Sequence, residues 1–239
     1  MTATTATKRA ARPRLRRGTL TRERIVSESL RLLDTQGLTG FSLPRLGRAL
    51  GTDPTAVYRH FASKDDLVLA IADRLIEESS AGLERSDCWV DTLADSTRRL
   101  RSTYLMHPAA ASLSSYRTTQ GPAEMRVANI IIGAVLQAGF EGAEAAKVYR
   151  AMDDFALSWA GCEAAFLALD GRQQKTDIGA WASAYLTVDR ADYPHIWEVR
   201  TELPDVDDDD IFETILSFVI GGLAQRAPRP CNCATHVNG

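Results

Sequence analysis

The sequence of 239 residues predicts an all-α fold. Apolar residues recur every three or four positions along most of the chain, which is the spacing of a helix with one buried face. Glycine and proline separate these stretches, and no segment of useful length alternates between apolar and polar residues as a half-buried strand does. With 45% apolar residues, the chain is also hydrophobic enough to bury a substantial core.

Charge is distributed unevenly along the chain. Thirteen basic and four acidic residues up to Lys64 give this first part a net charge of +9, whereas the rest carries −12. This segregation indicates that the first part contacts a polyanion and that the acidic body does not. Residues 1–20 contain six of the basic side chains and show no apolar period, so we expect a flexible basic arm there.

Targeting and redox signals are weak. The positive charges of the N-terminus are not followed by the apolar run of a secretory signal, and no apolar stretch is long enough for a transmembrane helix. Two isolated cysteines, Cys88 and Cys162, and two close to the end, Cys231 and Cys233, indicate no disulfide framework. We therefore expect a cytoplasmic protein.

The first two predicted helices lie between Thr21 and Gly51. Thr21 can cap the first helix, which we expect to end at the glycines Gly37 and Gly40. Ser42 is the N-cap candidate of a short second helix, and Gly51 stops it.

The next two predicted helices also start with capping residues. Asp53 caps a brief third helix over 53–60, and Pro54 suits its first position because the N–H that proline lacks would be unpaired there. Ser63 begins a fourth helix, with Asp66 three residues later as the reciprocal member of a capping box. The second and third helices, joined by a glycine-containing turn, are typical of a helix-turn-helix, whose second helix enters a major groove about 12 Å wide.

Beyond about residue 82 the sequence keeps its helical period but becomes rich in alanine and acidic residues. Proline and glycine divide it into predicted helices over 89–106, 122–138, 143–169, 176–187 and 210–226. The expected organisation is a basic arm over 1–20, a three-helix helix-turn-helix domain over 21–68, a second helical domain over 69–226 and a disordered tail over 227–239.

The stretch from about residue 20 to 75 resembles the N-terminal domain of the TetR family of bacterial repressors. The segments LLDTQG, LGRALG, AVYRHF and SKDDL carry this resemblance, in this order and without a gap. The body resembles the C-terminal domain of the family more loosely, through HPAAASLSS, VLQAGFEGAEAAKVYRAMDDF and FETILSFVIGGLAQR. The resemblance implies a ligand-responsive repressor that binds double-stranded operator DNA as a homodimer, with no cofactor.

The resemblance also implies roles for individual residues of the helix-turn-helix. Phosphate contacts are implied for Ser42, Tyr58, His60 and Lys64. Base contacts are implied for Arg45, Pro54, Thr55, Ala56 and Arg59. The alternatives are that Tyr58 packs into the core, as we expect for Phe61, and that the two arginines are merely solvated. We favour the phosphate contact for Tyr58 because Val57 already fills the inward position.

The basic arm offers further cations to DNA. The candidates that lie nearest to the first helix are Arg14, Arg16 and Arg17. Arginine arms can enter the narrow minor groove beside the helix that reads the bases. The alternative, which the sequence leaves equally open, is a tail that adds only sequence-independent affinity for phosphates.

The body of the family encloses a cavity for a small molecule, and side chains between the predicted helices could line one here. The apolar candidates are Tyr104, Met106, Tyr116, Met125, Tyr149, Met152, Phe155, Trp159 and Phe166. The polar candidates are His107, Arg117, Asp153, Asp154 and Glu163. Taken singly, each fits a core or surface position better. Taken together, they indicate a modest-sized, largely hydrophobic effector.

The predicted helix over 210–226 is apolar around most of its circumference, which a single buried face does not explain. We expect it to form a four-helix bundle with its mate and with the C-terminal part of the helix over 143–169. The interface candidates are Phe212, Ile215, Leu216, Val219 and Leu223. The alternative is a central helix that is buried within its own protomer.

Other functional classes are less favoured. No nucleophile–base pair, metal triad or phosphate-binding loop is visible, so we expect neither an enzyme nor a metal site. The acidic run over 205–210 is interpreted as the cap of the last helix, and Cys231, Cys233 and His236 as a frayed tail whose spacing is too short for zinc. An activator of the same fold and a small-molecule-binding protein without a DNA role are the remaining alternatives.

Overall fold

The computed structural model describes residues 20–231 and confirms the all-α prediction, because every regular element in this range is a helix. The chain forms two compact units, the first ending at Leu67 and the second beginning at Val68. Within the described range, no helix is both long enough and apolar enough to cross a membrane.

The first unit contains short helices around a small apolar core. Its elements are α1 (Arg22–Gly40), α2 (Leu43–Leu50), a 3-10 helix (Pro54–Arg59) and the start of α3 (Lys64–Ser79). The most deeply buried side chains are Ile25, Leu33, Leu46, Val57, Phe61 and Leu67. α1 leaves the helical conformation at Gly37, where φ is +63°, a backbone conformation that favours glycine. The regular helix therefore breaks at the position that the sequence predicts.

The 3-10 helix packs closely on α2. A Cβ atom on Gly47 would lie 2.9 Å from the Cα atom of Pro54, so this approach requires glycine. The third predicted helix is thus present, but its hydrogen bonds reach back three residues, from Ala56 N–H to the Asp53 carbonyl and from His60 N–H to the Val57 carbonyl. A segment of six residues is short enough for this tighter winding, which longer helices rarely sustain.

The second unit is built around α4. Its elements are α4 (Trp89–Met106), α5 (Pro108–Ser114), α6 (Pro122–Gln137), α7 (Gly142–Leu167), α8 (Gly171–Leu186), α9 (Pro194–Val199), a second 3-10 helix (Leu203–Asp205) and α10 (Asp208–Arg226). α4 packs against α6, α7 and α10, and α5 packs against α7. A large core cluster joins Trp89, Leu93, Val135 and Met152, and a smaller one joins Ala94, Phe212 and Leu216.

The structure adds elements that the sequence analysis does not predict. α5 and α9 are too short to show a helical period, and each begins with proline at its first position. α8 begins at Gly171, earlier than the predicted start at 176, because Asp170 caps it by accepting hydrogen bonds from the N–H groups of Arg172 and Gln173. The acidic run caps α10 as expected, since the Asp207 carboxylate accepts the N–H of Asp209.

Residues 227–231, which follow α10, pack onto other parts of the second unit, although we expected a disordered tail from residue 227 onward. The N–H of Arg229 donates to the Ala138 carbonyl at 2.9 Å. Cys231 forms a disulfide with Cys88, although no disulfide framework was expected. The two cysteines lie 143 residues apart, so only tertiary packing brings their Cα atoms to 5.8 Å. Cys233 and His236 lie outside the described residues.

Candidate DNA-binding surface and effector cavity

The 3-10 helix turns one side to the core and the other to solvent. With about three residues per turn, Pro54, Val57 and His60 share the inner side. Val57 is buried and the other two are half-buried. The exposed side chains of this helix are Thr55, Tyr58 and Arg59. Tyr58 is 50% exposed, so it lies outside the core that holds Phe61.

Asp53 fixes the first residues of the 3-10 helix. Its Oδ1 atom accepts hydrogen bonds from the Thr55 N–H (2.8 Å) and from the Thr55 hydroxyl (2.6 Å). These bonds lower the pKa of Asp53, so the carboxylate stays ionised at neutral pH. Because its hydroxyl proton is committed to Asp53, Thr55 keeps its methyl group and an acceptor oxygen for other contacts.

Arg22 of α1 fixes the last residues of the 3-10 helix. Its guanidinium donates to the His60 carbonyl and lies over the Phe61 ring, 4.1 Å from the ring centroid. Asp53 and Arg22 thus hold the two ends of the helix, and neither contact uses the side chain of Tyr58 or Arg59. Sequence reasoning missed Arg22, because no local pattern links the start of α1 to a loop 38 residues away.

Ser42 and Arg45 lie at the start of α2. Ser42 caps the helix as predicted, with its hydroxyl oxygen accepting the Arg45 N–H at 3.4 Å. The Arg45 guanidinium donates from Nη1 to the Gly40 carbonyl at 3.2 Å. A guanidinium carries five N–H donors, so this anchored side chain keeps others for further contacts.

Lys64 is exposed at the first position of α3, with its Nζ atom 5.9 Å from the centroid of the Phe41 ring. Ser63 caps α3 as predicted, but the Asp66 carboxylate reaches the residue before the cap instead of completing the capping box at Ser63. The Asp66 N–H donates to the Ser63 hydroxyl oxygen, and the Asp66 carboxylate accepts the Ala62 N–H, both at 3.0 Å.

Nine of the DNA-binding candidates lie together in the first unit. The exposed ones are Arg45, Thr55, Tyr58, Arg59 and Lys64. The half-buried ones are Ser42, Pro54, Ala56 and His60. Arg14, Arg16 and Arg17 of the arm lie outside the described residues.

A cavity of about 80 Å³ lies within the second unit, among α3, α4, α6 and α7. Five candidates named from the sequence line it: Tyr104, Arg117, Tyr149, Met152 and Asp153. Burial and the nearby charge of Asp153 raise the pKa of Tyr104, so this phenol keeps its proton at neutral pH. The cavity therefore combines a mostly apolar wall with a few polar groups, which is the usual form of a small-molecule site.

Several polar candidates lie outside the cavity, where other side chains bind them. His107 contacts Glu78, with 3.2 Å between Nε2 and Oε2. Both carboxylate oxygens of Glu163 accept hydrogen bonds from Arg101, at 2.7 and 2.8 Å. Asp154 accepts a hydrogen bond from Arg150 on the exposed side of α7.

The remaining apolar candidates also lie outside the cavity. Phe155 and Trp159 pack against the cluster of Phe212 and Leu216. Phe166 lines a separate open groove near Trp181. The mostly exposed candidates are Met106, Tyr116 and Met125. The helix packing decides which face meets the cavity, and residue type alone does not reveal it.

Many lining residues were not among the candidates, and those of α3 and α6 show why. Ala72, Ile76 and Ser79 of α3 form a stripe beside the core residues of that helix, and their spacing of three and four was the available signal. Glu124 lies at the start of α6 and has no local sequence signal. Its carboxylate is placed by the N–H groups of Thr119 and Gln120, which donate to it.

α10 has two different sides. Phe212 and Leu216 are buried within their own protomer, and Val219 and Leu223 are half-buried against the larger core cluster. Ile215 is also half-buried. On the outer side, Phe218 is 71% exposed, and no atom lies near the Cβ positions of Gly221 and Gly222. The five interface candidates therefore divide between the protomer core and its margin.

Comparisons with known proteins agree with this architecture. The family model "Bacterial regulatory proteins, tetR family" matches residues 25–71, and "Tetracyclin repressor-like, C-terminal domain" matches residues 81–227. An HTH-type transcriptional regulator of Saccharopolyspora erythraea is 27% identical over 175 residues, which cover 73% of this chain and 72% of that protein.

Two solved structures are also similar. ActR from Streptomyces coelicolor, in complex with actinorhodin, shares the fold over 88% of this chain and 98% of its own, with a TM-score of 0.75 and 23% identity. BioQ with its double-stranded DNA operator matches 70% of this chain and 98% of its own, with a TM-score of 0.55 and 25% identity.

The two family models together span the helix-turn-helix and almost all of the second unit. Members of this family are DNA-binding regulators, so the two matches argue against the enzyme alternative. The chain belongs to the TetR family of bacterial transcriptional regulators.

Proposed function

We propose that the chain is a cytoplasmic, dimeric repressor that binds operator DNA through its first unit and is released by a small, largely hydrophobic effector in the cavity. The 3-10 helix carries this proposal. Its inner side is fixed in the core by Val57 and by the close approach to Gly47. Its outer side offers Thr55, Tyr58 and Arg59 to solvent.

These outward side chains suit the major groove of duplex DNA. The Arg59 guanidinium can pair with guanine O6 and N7, a contact worth about 1–3 kcal/mol of discrimination. The Thr55 methyl group can contact a thymine methyl group. Tyr58 and Lys64 suit the phosphates that fix the register of the protein on DNA.

The outer side of α10 supports a dimer. A second copy over this face would bury Phe218, and the two glycines at 221 and 222 allow close approach of another helix. We place the interface on this side and on the margin that Ile215, Val219 and Leu223 form. Two reading units then fit half-sites about 34 Å apart on one face of DNA.

α3 can couple the cavity to DNA because one helix carries both sets of residues. Lys64 is its first residue, and Ala72, Ile76 and Ser79 line the cavity. The Asp73 carboxylate also accepts the Ala123 and Glu124 N–H groups at the start of α6, at 3.3 and 3.0 Å. An effector that enlarges the cavity must displace this wall, which shifts the population towards a form that binds the operator less well.

Selection from a random duplex library, followed by fluorescence anisotropy on the selected duplex, tests the proposal. We expect the R59A variant to bind this duplex about 5–150-fold more weakly and to lose preference at one base pair. The control is R31A, because Arg31 is exposed on α1 and pairs with Glu28 within that helix. The proposal fails if no duplex is selected, or if the two variants bind the selected duplex equally well.

A further inference from the structure

Most polar groups of the cavity wall are already engaged by the protein. Five hydroxyl groups donate to carbonyls three or four residues earlier in the chain, those of Ser79, Ser80, Ser96, Thr97 and Ser114. The Glu124 carboxylate accepts from the hydroxyl and N–H of Thr119 and from the N–H of Gln120. Arg117 is also engaged by a neighbouring group. The hydroxyl protons and the Glu124 carboxylate therefore have little capacity left for a ligand.

Asp153 is the exception among the charged residues of the wall. It lies on α7, half-buried, and within the described residues no hydrogen bond or ion pair reaches its carboxylate. Arg150, the nearby cation, is bound to Asp154 at 2.8 Å. The phenols of Tyr104 and Tyr149 lie in the same wall, where burial raises the pKa of both and the nearby Asp153 charge adds to the increase.

The surroundings of Asp153 make its negative charge costly. Burial raises the pKa of this carboxyl, the charges of Asp154 and Glu124 add to the increase, and Arg150 opposes it only in part. A ligand with a positive charge would relieve this cost by ion pairing within the cavity. A neutral ligand would leave the charge unpaired and cover it further, and an anionic ligand would be repelled.

We propose that the cavity takes an amphiphilic cation, an apolar ring system with a protonated amine that pairs with the Asp153 carboxylate. This inference rests on the proposed function of the cavity and narrows its ligand from hydrophobic compounds in general to one charge class. The apolar body would lie against Leu93, Ile131 and Met152, and the amine against α7.

Three probes of similar size and different charge test the proposal on the full-length protein. They are 2-phenylethylamine, 2-phenylethanol and 3-phenylpropionate, and isothermal titration calorimetry gives their affinities at pH 7. We expect the amine to bind about tenfold or more tightly than the alcohol, and the carboxylate to bind most weakly. In the D153N variant, the preference for the amine should disappear while the affinity for the alcohol is unchanged or higher.

The E144Q variant is the matched control, because it removes one negative charge from the same helix outside the cavity, where Glu144 pairs with Arg226. It should keep the preference for the amine. Circular dichroism and binding of the selected duplex report whether D153N is folded.

Equal affinities, a preference for the alcohol or carboxylate, no measurable binding of the amine, or an unchanged preference in D153N would each overturn the proposal. None of these results alters operator binding, so the proposed function can stand when the charge class is wrong. Loss of operator binding in the R59A variant tests that function independently.

Discussion

Two aspartates, one in each unit, are held in opposite ways. Asp53 accepts two hydrogen bonds from Thr55, which lower the pKa of its carboxyl and fix the start of the 3-10 helix. Asp153 receives none within the described residues, and burial raises the pKa of its carboxyl. In the first unit, the Asp53 carboxylate fixes the surface that we propose for DNA. In the second unit, the Asp153 carboxylate lines the cavity, where we propose that a ligand pairs with it.

The contrast shows how rigidity and response are divided in the chain. A helix that reads DNA, as we propose for the 3-10 helix, must present its side chains in one geometry, and here Asp53 and Arg22 fix its two ends. A cavity wall whose polar groups all had partners within the protein would gain little from a ligand. The Asp153 carboxylate is a group that a ligand can stabilise. A ligand shifts a conformational equilibrium only when it binds one conformation more tightly than the other.

The largest expected effect comes from a charge in the second unit that is fully paired. Arg101 bonds Glu163 and Asp209, lies over the Phe212 ring, and is almost buried. We expect the R101M variant to lose about 3 kcal/mol of unfolding free energy, because Glu163 is left as a buried charge without its partner. Urea denaturation measures this loss.

The R98M variant is its control, since Arg98 pairs with Glu213 at the surface with both side chains about half exposed. This exchange should cost less than about 1 kcal/mol. Equal losses in the two variants would show that the cluster around Arg101 contributes no more than a surface ion pair.

The next expected effect concerns the close contact of the first unit. In the G47A variant, the new methyl group would lie 2.9 Å from backbone atoms of Pro54, so the 3-10 helix must shift. We expect a loss of about 1–3 kcal/mol of stability together with weaker binding of the selected duplex. G179A serves as the control, because its Cβ meets no atom within 4 Å and alanine favours the helix. Unchanged duplex binding by G47A would mean that the position of the 3-10 helix is not critical.

The smallest expected effect is a gain in stability. The pKa of Asp153 is higher in the folded than in the unfolded chain, so the stabilisation that goes with its neutral form is present at low pH and lost as pH rises through the folded pKa. The D153N variant should therefore have a higher Tm than the parent at pH 7, by about 1–2 °C, with no difference below about pH 4. A lower Tm at pH 7 would mean that the carboxylate has a partner in the fold.

The sequence predicts the first unit better than the cavity, for a physical reason. Caps and breaks are local, so Ser42, Asp53 and Ser63 mark helix starts and Gly37 marks a break without knowledge of the tertiary structure. The inward and outward sides of the 3-10 helix likewise follow from Val57 and Phe61.

The cavity depends on which helix faces meet, and this is not a local property. Tyr104, Tyr149 and Met152 reach it, whereas Phe155 and Trp159 fill the space beneath α10. Residue type cannot separate these two outcomes, because both sites favour large apolar side chains. Asp153 could be named from the sequence, but only the structure shows that it differs from Asp154, which Arg150 holds.

The disulfide between Cys88 and Cys231 has a consequence for how the second unit unfolds. It closes a covalent ring that contains most of that unit, so the oxidised polypeptide cannot expand fully when its helices unfold. We expect this disulfide to raise the free energy of unfolding by about 2–4 kcal/mol relative to the reduced chain. Protein handled in air should thus survive heating that destroys protein kept with a thiol reductant, and a bacterium with a reducing interior would contain the less robust form.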